Sequence, residues 1–178
     1  MKKAAFLDRD GTINEDIGYL FSEEKLVFIP GAIDALRILQ EEYLLFIITN
    51  QPGIEQGVFS GKECAEFSKR YEEILRYEGI RIEGTFFCPH KKETGCRCIK
   101  PNTFFIGEIL KKYPLDLKAS FTAGDHPHDV EMGKKAGTGT IYLLTGHGRQ
   151  HLDELDSLKP GLTAENVLEA ALRITAGS

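Results

Sequence analysis

The chain has 178 residues, of which 42% are hydrophobic and 28% charged, with a formal net charge of −5 at pH 7. That length suits one globular domain able to bury roughly two-thirds of its unfolded surface. The negative charge argues against a nucleic-acid partner, which would need a basic surface. No apolar run approaches the ~20 residues of a membrane span, and the run after the N-terminal lysines is too short for a signal peptide. We therefore expect a cytoplasmic, monomeric protein without a membrane partner.

Apolar runs and amphipathic segments alternate along the chain. The runs that predict buried strands are 4–7, 44–48, 84–87, 119–123 and 140–144. The positions with helical spacing are Ala32, Leu36 and Leu39 after Pro30; Phe67, Tyr71, Ile74 and Leu75; and Phe105 and Ile109 before Lys111 and Lys112. A last helix is predicted over about 163–174, and residues 175–178 are expected to fray. The alternation predicts an α/β fold of three layers, a Rossmann-like parallel sheet with helices on both faces, in one domain over 1–178.

Polar residues follow four of these strands. They are Asp8 and Asp10 after the first, Thr49 to Gly53 after the second, Lys100 beyond the third, and Asp125 and Asp129 after the fourth. Any one of them is an ordinary turn residue. Because a parallel sheet binds its ligands outside the carboxyl ends of its strands, the four clusters together indicate one functional crevice.

The residue types in this crevice indicate phosphoryl transfer. Asp8 and Asp10 stand two positions apart at a strand end, where their like charges favour a bound cation. Carboxylates with few other ligands suit Mg²⁺, and we expect Asp8 and Asp125 to be its side-chain ligands. Lys100 and Thr49 would stabilise phosphoryl oxygens by charge and hydrogen bonding. Asp8 is the expected nucleophile, forming an aspartyl-phosphate, and Asp10 the general acid and then base.

The loop 88–98 carries a second candidate metal site. Its ligand set is Cys88, His90, Cys96 and Cys98. Three thiolates and one imidazole make a closed tetrahedral set of the kind that holds structural zinc. The spacing is tighter than in common zinc fingers, so two alternatives stay open: incidental cysteines in a surface loop, or a disulfide, which a reducing compartment disfavours. Bound zinc would fix the segment that delivers Lys100.

Three residues fall outside these clusters. Cys64 lies on the apolar stripe of the second helix and is predicted to pack in the core. His147 and His151 lie in a polar stretch without evident partners, and we expect both to face solvent.

The order of the motifs resembles the haloacid dehalogenase (HAD) superfamily. The segments that carry the resemblance are DRDGT, TN, KP and GD, with Asp129 as a further acidic residue. More narrowly, the chain to about residue 150 is similar to the D-glycero-D-manno-heptose-1,7-bisphosphate 7-phosphatases through DRDGTIN, GYL, PGAIDAL, TNQPGI, CPH…CRC, KP and LTGHG. Histidinol-phosphate phosphatases share the cysteine-rich loop.

The resemblance implies Mg²⁺-dependent hydrolysis of a sugar phosphate, such as the 7-phosphate of a heptose 1,7-bisphosphate. It implies Mg²⁺ held by the Asp8 carboxylate, the Asp10 backbone carbonyl and Asp125, and zinc held in the loop 88–98. The substrate contacts it implies are Asp16, Gly18, Tyr19, Asn50, Gln51, Pro52, Gly53, Lys100 and His126. The chain between the motifs has no room for a cap domain, so the site should be open, which suits a sugar phosphate.

Two positions depart from the heptose phosphatase pattern. Ile99 stands where that group usually has an arginine, and His126 where it usually has a lysine. Both changes remove positive charge from the substrate rim, which Arg97 would have to restore. A histidinol-phosphate phosphatase, or another small-molecule sugar phosphatase, is therefore the alternative. A zinc-stapled binding module without catalysis is a third reading, which the intact set of acidic residues argues against.

Overall fold

The apolar runs of the sequence form the strands of one parallel sheet in the computed structural model, which describes residues 1–176. The strands are β1 Lys3–Leu7, β2 Tyr43–Asn50, β3 Ile82–Cys88, β4 Phe121–Gly124, β5 Gly139–Leu143 and β6 Leu162–Ala164. Their order is β3-β2-β1-β4-β5-β6, and every neighbouring pair is parallel. This order is that of the Rossmann-like sheets, and it confirms the predicted α/β class.

Helices cover both faces of the sheet. They are α1 Ala32–Gln40, α2 Gly61–Tyr77, α3 Phe104–Leu110, α4 Pro127–Ala136, α5 Leu155–Leu158 and α6 Val167–Thr175. In β1, Ala5 and Leu7 face a core built with α1, α2 and α6, whereas Ala4 and Phe6 face a second core built with α3 and α4. Successive residues of a strand point to opposite faces, so a strand buried on both sides is apolar throughout. Cys64 is buried on α2, as expected.

Helix α4 begins beside the polar residues that follow β4. His126 is its N-cap and Pro127 its first residue, where the missing N–H of proline costs nothing. The Asp129 carboxylate accepts a hydrogen bond from the His126 backbone N–H at 3.3 Å, as the third residue of a capping box does. Gly137 ends the helix with φ of 78°, a left-handed conformation that favours glycine. Capping therefore fixes Asp129 at the carboxyl end of β4.

The predicted C-terminal helix over 163–174 is wrong at its start. Residues Leu162–Ala164 form the edge strand β6, which pairs with β5, and α6 begins only at Val167. The Asn166 side chain accepts a hydrogen bond from the Glu169 N–H at 2.9 Å and so sets this boundary. Of the residues expected to fray, Thr175 still lies in α6, and Gly177 and Ser178 lie outside the described residues. Within residues 1–176, no helix combines the length and the apolar character needed to cross a membrane.

Candidate active site

The carboxyl ends of β1, β2 and β4 meet around one open cavity of about 720 Å³. The strand order reverses about β1, and such a switch point is where open α/β sheets bind their ligands. The predicted site residues that line the cavity are Asp8, Asp10, Asp16, Gly18, Thr49, Asn50, Pro52, Lys100, Asp125 and His126. The structure therefore brings together residues from four separate stretches of the chain.

Lys100 joins two carboxylates at the base of the cavity. Its Nζ lies 2.8 Å from Asp8 Oδ1 and 2.7 Å from Asp129 Oδ1, and the ammonium is buried. Asp8 Oδ1 also accepts a hydrogen bond from the Arg9 backbone N–H at 2.8 Å. Among residues 1–176, no side chain or backbone N–H donates to the other oxygen, Asp8 Oδ2. One oxygen of Asp8 is thus anchored, and the other is left for chemistry.

Asp125 is held by the loops around it. Its Oδ2 accepts a hydrogen bond from the His147 backbone N–H at 2.7 Å. Gly11 and Gly146 press against the same carboxylate, because a Cβ on either would stand 2.2 Å or 2.1 Å from Oδ2. Only glycine permits this approach, so the loop after β1 and the loop after β5 together fix the direction of Asp125.

The electrostatics of this cluster favour a cation. The ligand oxygens of Asp8, Asp125 and Asp129 all lie within 4.8 Å of one another. Burial raises the pKa of Asp125 to about 8, with the neighbouring carboxylates adding to the effect, and burial raises the pKa of Asp129 to about 7 against the opposing charge of Lys100. Burial also raises the pKa of Asp8. With all three carboxylates ionised, the one positive charge of Lys100 leaves a formal charge of −2, which a divalent ion would neutralise. This donor set fits Mg²⁺.

Asp10 lines the cavity, and its carboxylate accepts hydrogen bonds from three surrounding side chains. Arg9 donates from Nε to Oδ1 at 3.0 Å and from Nη2 to Oδ2 at 2.8 Å. Asn14 Nδ2 donates to Oδ1 at 2.9 Å, and Gln51 Nε2 donates to Oδ2 at 2.8 Å. The Arg9 guanidinium is buried and packs over the ring of Phe67. The carboxylate plane of Asp10 is therefore fixed by the protein itself.

Three of the predicted substrate residues lie behind the cavity lining. Gln51 is buried, and its amide donates to Asp10 and, at 3.0 Å, to Thr49 Oγ1. Tyr19 donates its hydroxyl hydrogen to Gln56. Gly53 lies under the Tyr19 ring, where a Cβ would stand 2.8 Å from Tyr19 Cδ1. Gln51 therefore contacts two residues that line the cavity, whereas Tyr19 and Gly53 pack against each other outside the lining.

Histidines form much of the cavity rim. The rings of His126 and His128 stack with centroids 3.9 Å apart, and His151 stands 4.5 Å from His126. His147 is exposed, as expected, and His151 is partly buried. Both line the cavity, however, and His147 has a partner that the sequence did not indicate, Asp16 at 3.4 Å. Burial lowers the pKa of His126 to about 4 and also lowers that of His128. The stacked pair of His126 and His128 is thus aromatic and uncharged at neutral pH.

Arg97 does not restore the missing positive charge at the rim. Its guanidinium stacks on the Phe104 ring at 4.5 Å and is not part of the cavity lining. Ile99 does line the cavity, as an apolar surface. Lys92 is the basic residue that the rim does carry, and three carboxylates, those of Asp16, Glu131 and Glu154, surround the same opening.

The loop 88–98 gathers its four ligand atoms in one cluster beside the sheet. The Sγ atoms of Cys88, Cys96 and Cys98 lie 3.1 to 3.5 Å apart, and His90 Nδ1 lies 3.7 Å from Cys88 Sγ and 3.5 Å from Cys98 Sγ. Ligands of one tetrahedral zinc ion would stand about 3.5 to 3.8 Å apart, given Zn–S of about 2.3 Å and Zn–N of about 2.0 Å. All three cysteines are free, so the disulfide alternative is not formed. The donor set fits zinc.

Sequence reasoning missed the residues that hold Asp10. Arg9 lies between two aspartates, and strand alternation would place it on the opposite face of the chain. Strand β1 ends at Leu7, before Arg9, so this alternation does not apply, and the Arg9 guanidinium reaches its neighbour Asp10. Asn14 lies within the DRDGTIN motif, so its position was a usable signal. Tyr71 donates to Asn14 from 57 residues further along the chain, and no local pattern indicates this contact. The sequence indicates no specific role for Asp129, which the structure places as the second partner of Lys100.

Comparison with known proteins covers most of the chain. The HAD-hydrolase-like family model matches residues 97–170. A probable D-glycero-D-manno-heptose-1,7-bisphosphate 7-phosphatase of Thermoplasma volcanium is 40% identical over 124 residues, which are 69% of this chain and 85% of that protein. The D-glycero-beta-D-manno-heptose-1,7-bisphosphate 7-phosphatase of Pasteurella multocida is 37% identical, over 82% of this chain and 84% of its own length.

A solved structure is similar over the whole fold. The D,D-heptose 1,7-bisphosphate phosphatase of B. bronchiseptica, complexed with magnesium and phosphate, superposes with a TM-score of 0.89 at 26% identity. The similarity covers 99% of each chain.

Proposed function

This chain belongs to the family of D-glycero-D-manno-heptose-1,7-bisphosphate 7-phosphatases, which are HAD-type phosphoric monoester hydrolases, and we propose that its substrate is a heptose 1,7-bisphosphate cleaved at the 7-phosphate. The observation that carries the proposal is the anchored Asp8 carboxylate, with one oxygen on Lys100 and the other directed to no protein donor among residues 1–176. An open cavity of about 720 Å³ gives a sugar phosphate room to reach it.

In the first step, Asp8 attacks phosphorus. A P–O bond forms to the carboxylate while the bond from phosphorus to the sugar oxygen breaks, and Asp10 gives its proton to that departing oxygen. In the second step, water attacks the aspartyl-phosphate and passes a proton to Asp10, and the bond from Asp8 to phosphorus breaks. The products are the dephosphorylated sugar and inorganic phosphate, and both residues return to their first state.

Lys100 and Thr49 would stabilise the transferring group. The Lys100 ammonium is buried, where its charge is screened less than in water. Thr49 Oγ1 accepts from Gln51 Nε2 at 3.0 Å, which leaves its own hydrogen for a phosphoryl oxygen. Lys100 would therefore present a positive charge, and Thr49 a hydrogen-bond donor, to the place where negative charge develops.

Mg²⁺ is the metal we propose for the acidic cluster. The Asp8 carboxylate, the Asp10 backbone carbonyl and the Asp125 carboxylate would hold it. When bound, such an ion neutralises phosphate charge and helps to orient the phosphoryl group. Zinc is the metal we propose for Cys88, His90, Cys96 and Cys98, in a structural role.

The remaining proposals concern the substrate contacts and the setting. Asp16, Gly18, Asn50, Pro52 and His126 line the cavity and would contact the sugar, whereas Tyr19, Gln51 and Gly53 would act from behind it. All six described strands belong to one sheet, which supports a single domain without a cap over 1–178. We propose a monomer that acts in the cytoplasm, without a nucleic-acid or membrane partner.

One observation favours a second substrate, histidinol phosphate. The rim carries Asp16, Glu131 and Glu154 against the single lysine Lys92. An acidic rim attracts a substrate whose far end carries an ammonium group, and it repels a second phosphate. A binding module without catalysis has no such support, since the family consists of phosphatases.

Phosphate release decides between these substrates. Wild-type protein with Mg²⁺ is tested on both anomers of heptose 1,7-bisphosphate, on histidinol phosphate and on several hexose phosphates, with the Asp8→Asn variant as the blank. A kcat/KM highest for one heptose bisphosphate supports the proposal. A kcat/KM highest for histidinol phosphate, or equal for all, refutes it.

A further inference from the structure

The Asp10 carboxylate has no acceptor position left unused. Each of its oxygens receives two hydrogen bonds, from Arg9 and Asn14 at Oδ1 and from Arg9 and Gln51 at Oδ2. A carboxylate offers about four lone-pair sites, so all are occupied in this ionised state, and one donor must move aside when Asp10 takes up a proton or meets the leaving oxygen. The direction of Asp10 relative to the cavity therefore depends on where its donors stand.

Asn14 is the donor whose orientation is itself controlled. Its Nδ2 donates to Asp10 Oδ1 at 2.9 Å and to the Glu15 backbone carbonyl at 2.9 Å. Its Oδ1 accepts from the Tyr71 hydroxyl at 3.0 Å. The amide group is thus held from both ends: two groups that only accept, Asp10 and the Glu15 carbonyl, set its direction, and the Tyr71 hydroxyl holds the other end in place.

Burial makes this control strict. Asn14 and Tyr71 are both fully buried, at 0% exposure, so water has no access to replace a lost contact. A reversed Asn14 amide would turn its carbonyl oxygen toward the Asp10 carboxylate, where two acceptors repel each other. In the observed orientation the Tyr71 hydroxyl supplies the donor that the buried Asn14 Oδ1 needs, and its loss would leave that oxygen unsatisfied.

We propose that Tyr71 and Asn14 are positioning residues for Asp10, forming a hydrogen-bonded relay from the core face of α2 to the group that exchanges protons with the leaving oxygen. The proposal rests on the proposed role of Asp10 as acid and base, and it does not depend on which sugar phosphate is the substrate. Tyr71 lies on the side of α2 that packs against the sheet, and it touches neither the cavity nor the reacting atoms.

Comparing substrates with different leaving groups shows whether Tyr71 positions Asp10 or only stabilises the fold. A sugar alkoxide must receive a proton as it departs, so its release depends on a correctly placed Asp10. A p-nitrophenolate leaves readily as an anion, so its release depends far less on that proton. Because kcat/KM reports steps only through departure of the leaving group, damage to the proton donor lowers it for the first substrate and spares it for the second.

The experiment compares Tyr71→Phe with wild type on two substrates, the sugar phosphate that the wild type cleaves fastest and p-nitrophenyl phosphate. We expect kcat/KM for the sugar phosphate to fall about tenfold, which is part of the roughly 10²- to 10⁴-fold rate increase that general acid catalysis supplies. The kcat/KM for p-nitrophenyl phosphate should change less than about twofold. Asn14→Ala should show the same selective loss, and Asp10→Asn should show its upper limit. Tyr113→Phe is the matched control, because it loses a hydroxyl that donates to Glu83 at 3.3 Å outside the site.

Thermal unfolding of each variant establishes that the comparison is made on folded protein. Equal losses on both substrates in folded Tyr71→Phe and Asn14→Ala, or no loss on either, overturn the proposal. A wild-type preference for a sugar phosphate other than a heptose bisphosphate refutes only the proposed substrate, since the ratio between the two leaving groups is still measured on the sugar that is cleaved.

Discussion

Replacing Gly11 by alanine tests whether the close approach to Asp125 is needed for catalysis. Gly11 has a φ of +77°, and its missing Cβ would stand 2.2 Å from Asp125 Oδ2 and 2.7 Å from Asp125 Cγ. Asp125 has no room to retreat without loss, because its Oδ2 also accepts the His147 N–H and faces Gly146. The substitution therefore acts on one carboxylate in a known direction.

The size of the effect follows from the distances. Ordinary contact with a Cβ begins at 3.4 Å, so the carboxylate must move by the difference from 2.2 Å, about 1.2 Å. A misplacement of about 1 Å in a catalytic group costs about a hundredfold in rate. Placing alanine at a left-handed φ also costs about 1–2 kcal/mol of stability, whatever the space around it.

The assay is kcat, together with the Mg²⁺ concentration that gives half-maximal rate. Gly79→Ala is the matched control, because Gly79 has a φ of +76° and nothing within 4 Å of its would-be Cβ. We expect both variants to lose similar stability from backbone strain. Only Gly11→Ala should lose about a hundredfold in kcat and require more Mg²⁺.

The reasoning fails if Gly11→Ala, once shown to be folded, matches Gly79→Ala in kcat and in Mg²⁺ requirement. That result would mean that Asp125 moves without consequence, and the proposed ligand role would lose its basis. A drop in kcat at an unchanged Mg²⁺ requirement would place the effect on Asp8, whose backbone is three residues away, and not on the metal.

The remaining predictions concern charge, nucleophile and zinc. Lys100→Met should lower the free energy of unfolding by about 3–5 kcal/mol in Mg²⁺-free buffer, because it leaves buried carboxylates without their partner. Lys62→Met, on the exposed surface, should change that free energy by at most about 0.5 kcal/mol. Urea denaturation measures both variants, and equal midpoints would contradict this prediction. Asp8→Asn should reduce phosphate release to background while its circular dichroism stays that of the wild type, and turnover at the wild-type rate would disprove the assignment of the nucleophile. Metal analysis should find about one zinc per chain in wild type and in Cys64→Ala, and much less in Cys98→Ser; no zinc in wild type would refute the loop assignment.

Buried strands were predictable because burial on both faces leaves an unbroken apolar signal. The run LLFII lies within β2, Tyr43–Asn50, and its residues pack alternately against the two cores. Strand β6 has only three residues, too few for any periodicity to stand out from the helix that follows. Its strand conformation comes from pairing with β5, a contact between residues twenty-one positions apart, which no local pattern records.

In the candidate site, too, residues at strand ends were predictable and their long-range partners were not. Asp8, Asp10, Thr49, Lys100 and Asp125 were predictable because each lies at or beyond the carboxyl end of a strand, and the topology of a parallel sheet carries those ends to one edge. Their partners were not, since a hydrogen bond between side chains leaves no mark on either local sequence. The polar contacts of Tyr71 show this well, because its spacing indicates only a core position on α2.

Hydrogen bonds connect the loop 88–98 to Lys100, so a metal bound in that loop would help to position the lysine proposed to stabilise the phosphoryl group. The Lys100 backbone N–H donates to Asn50 Oδ1 at 3.1 Å, and Asn102 Nδ2 donates to the Cys96 carbonyl at 3.0 Å. Glu55, in the turn after β2, accepts from the loop at the Thr94 hydroxyl at 2.8 Å. These contacts tie the loop to β2 on one side and to Lys100 on the other. Loss of the metal would leave the loop 88–98 held less firmly and so would loosen the segment that carries Lys100. We therefore expect kcat to fall in proportion to zinc content, although the proposed Mg²⁺ ligands are unchanged.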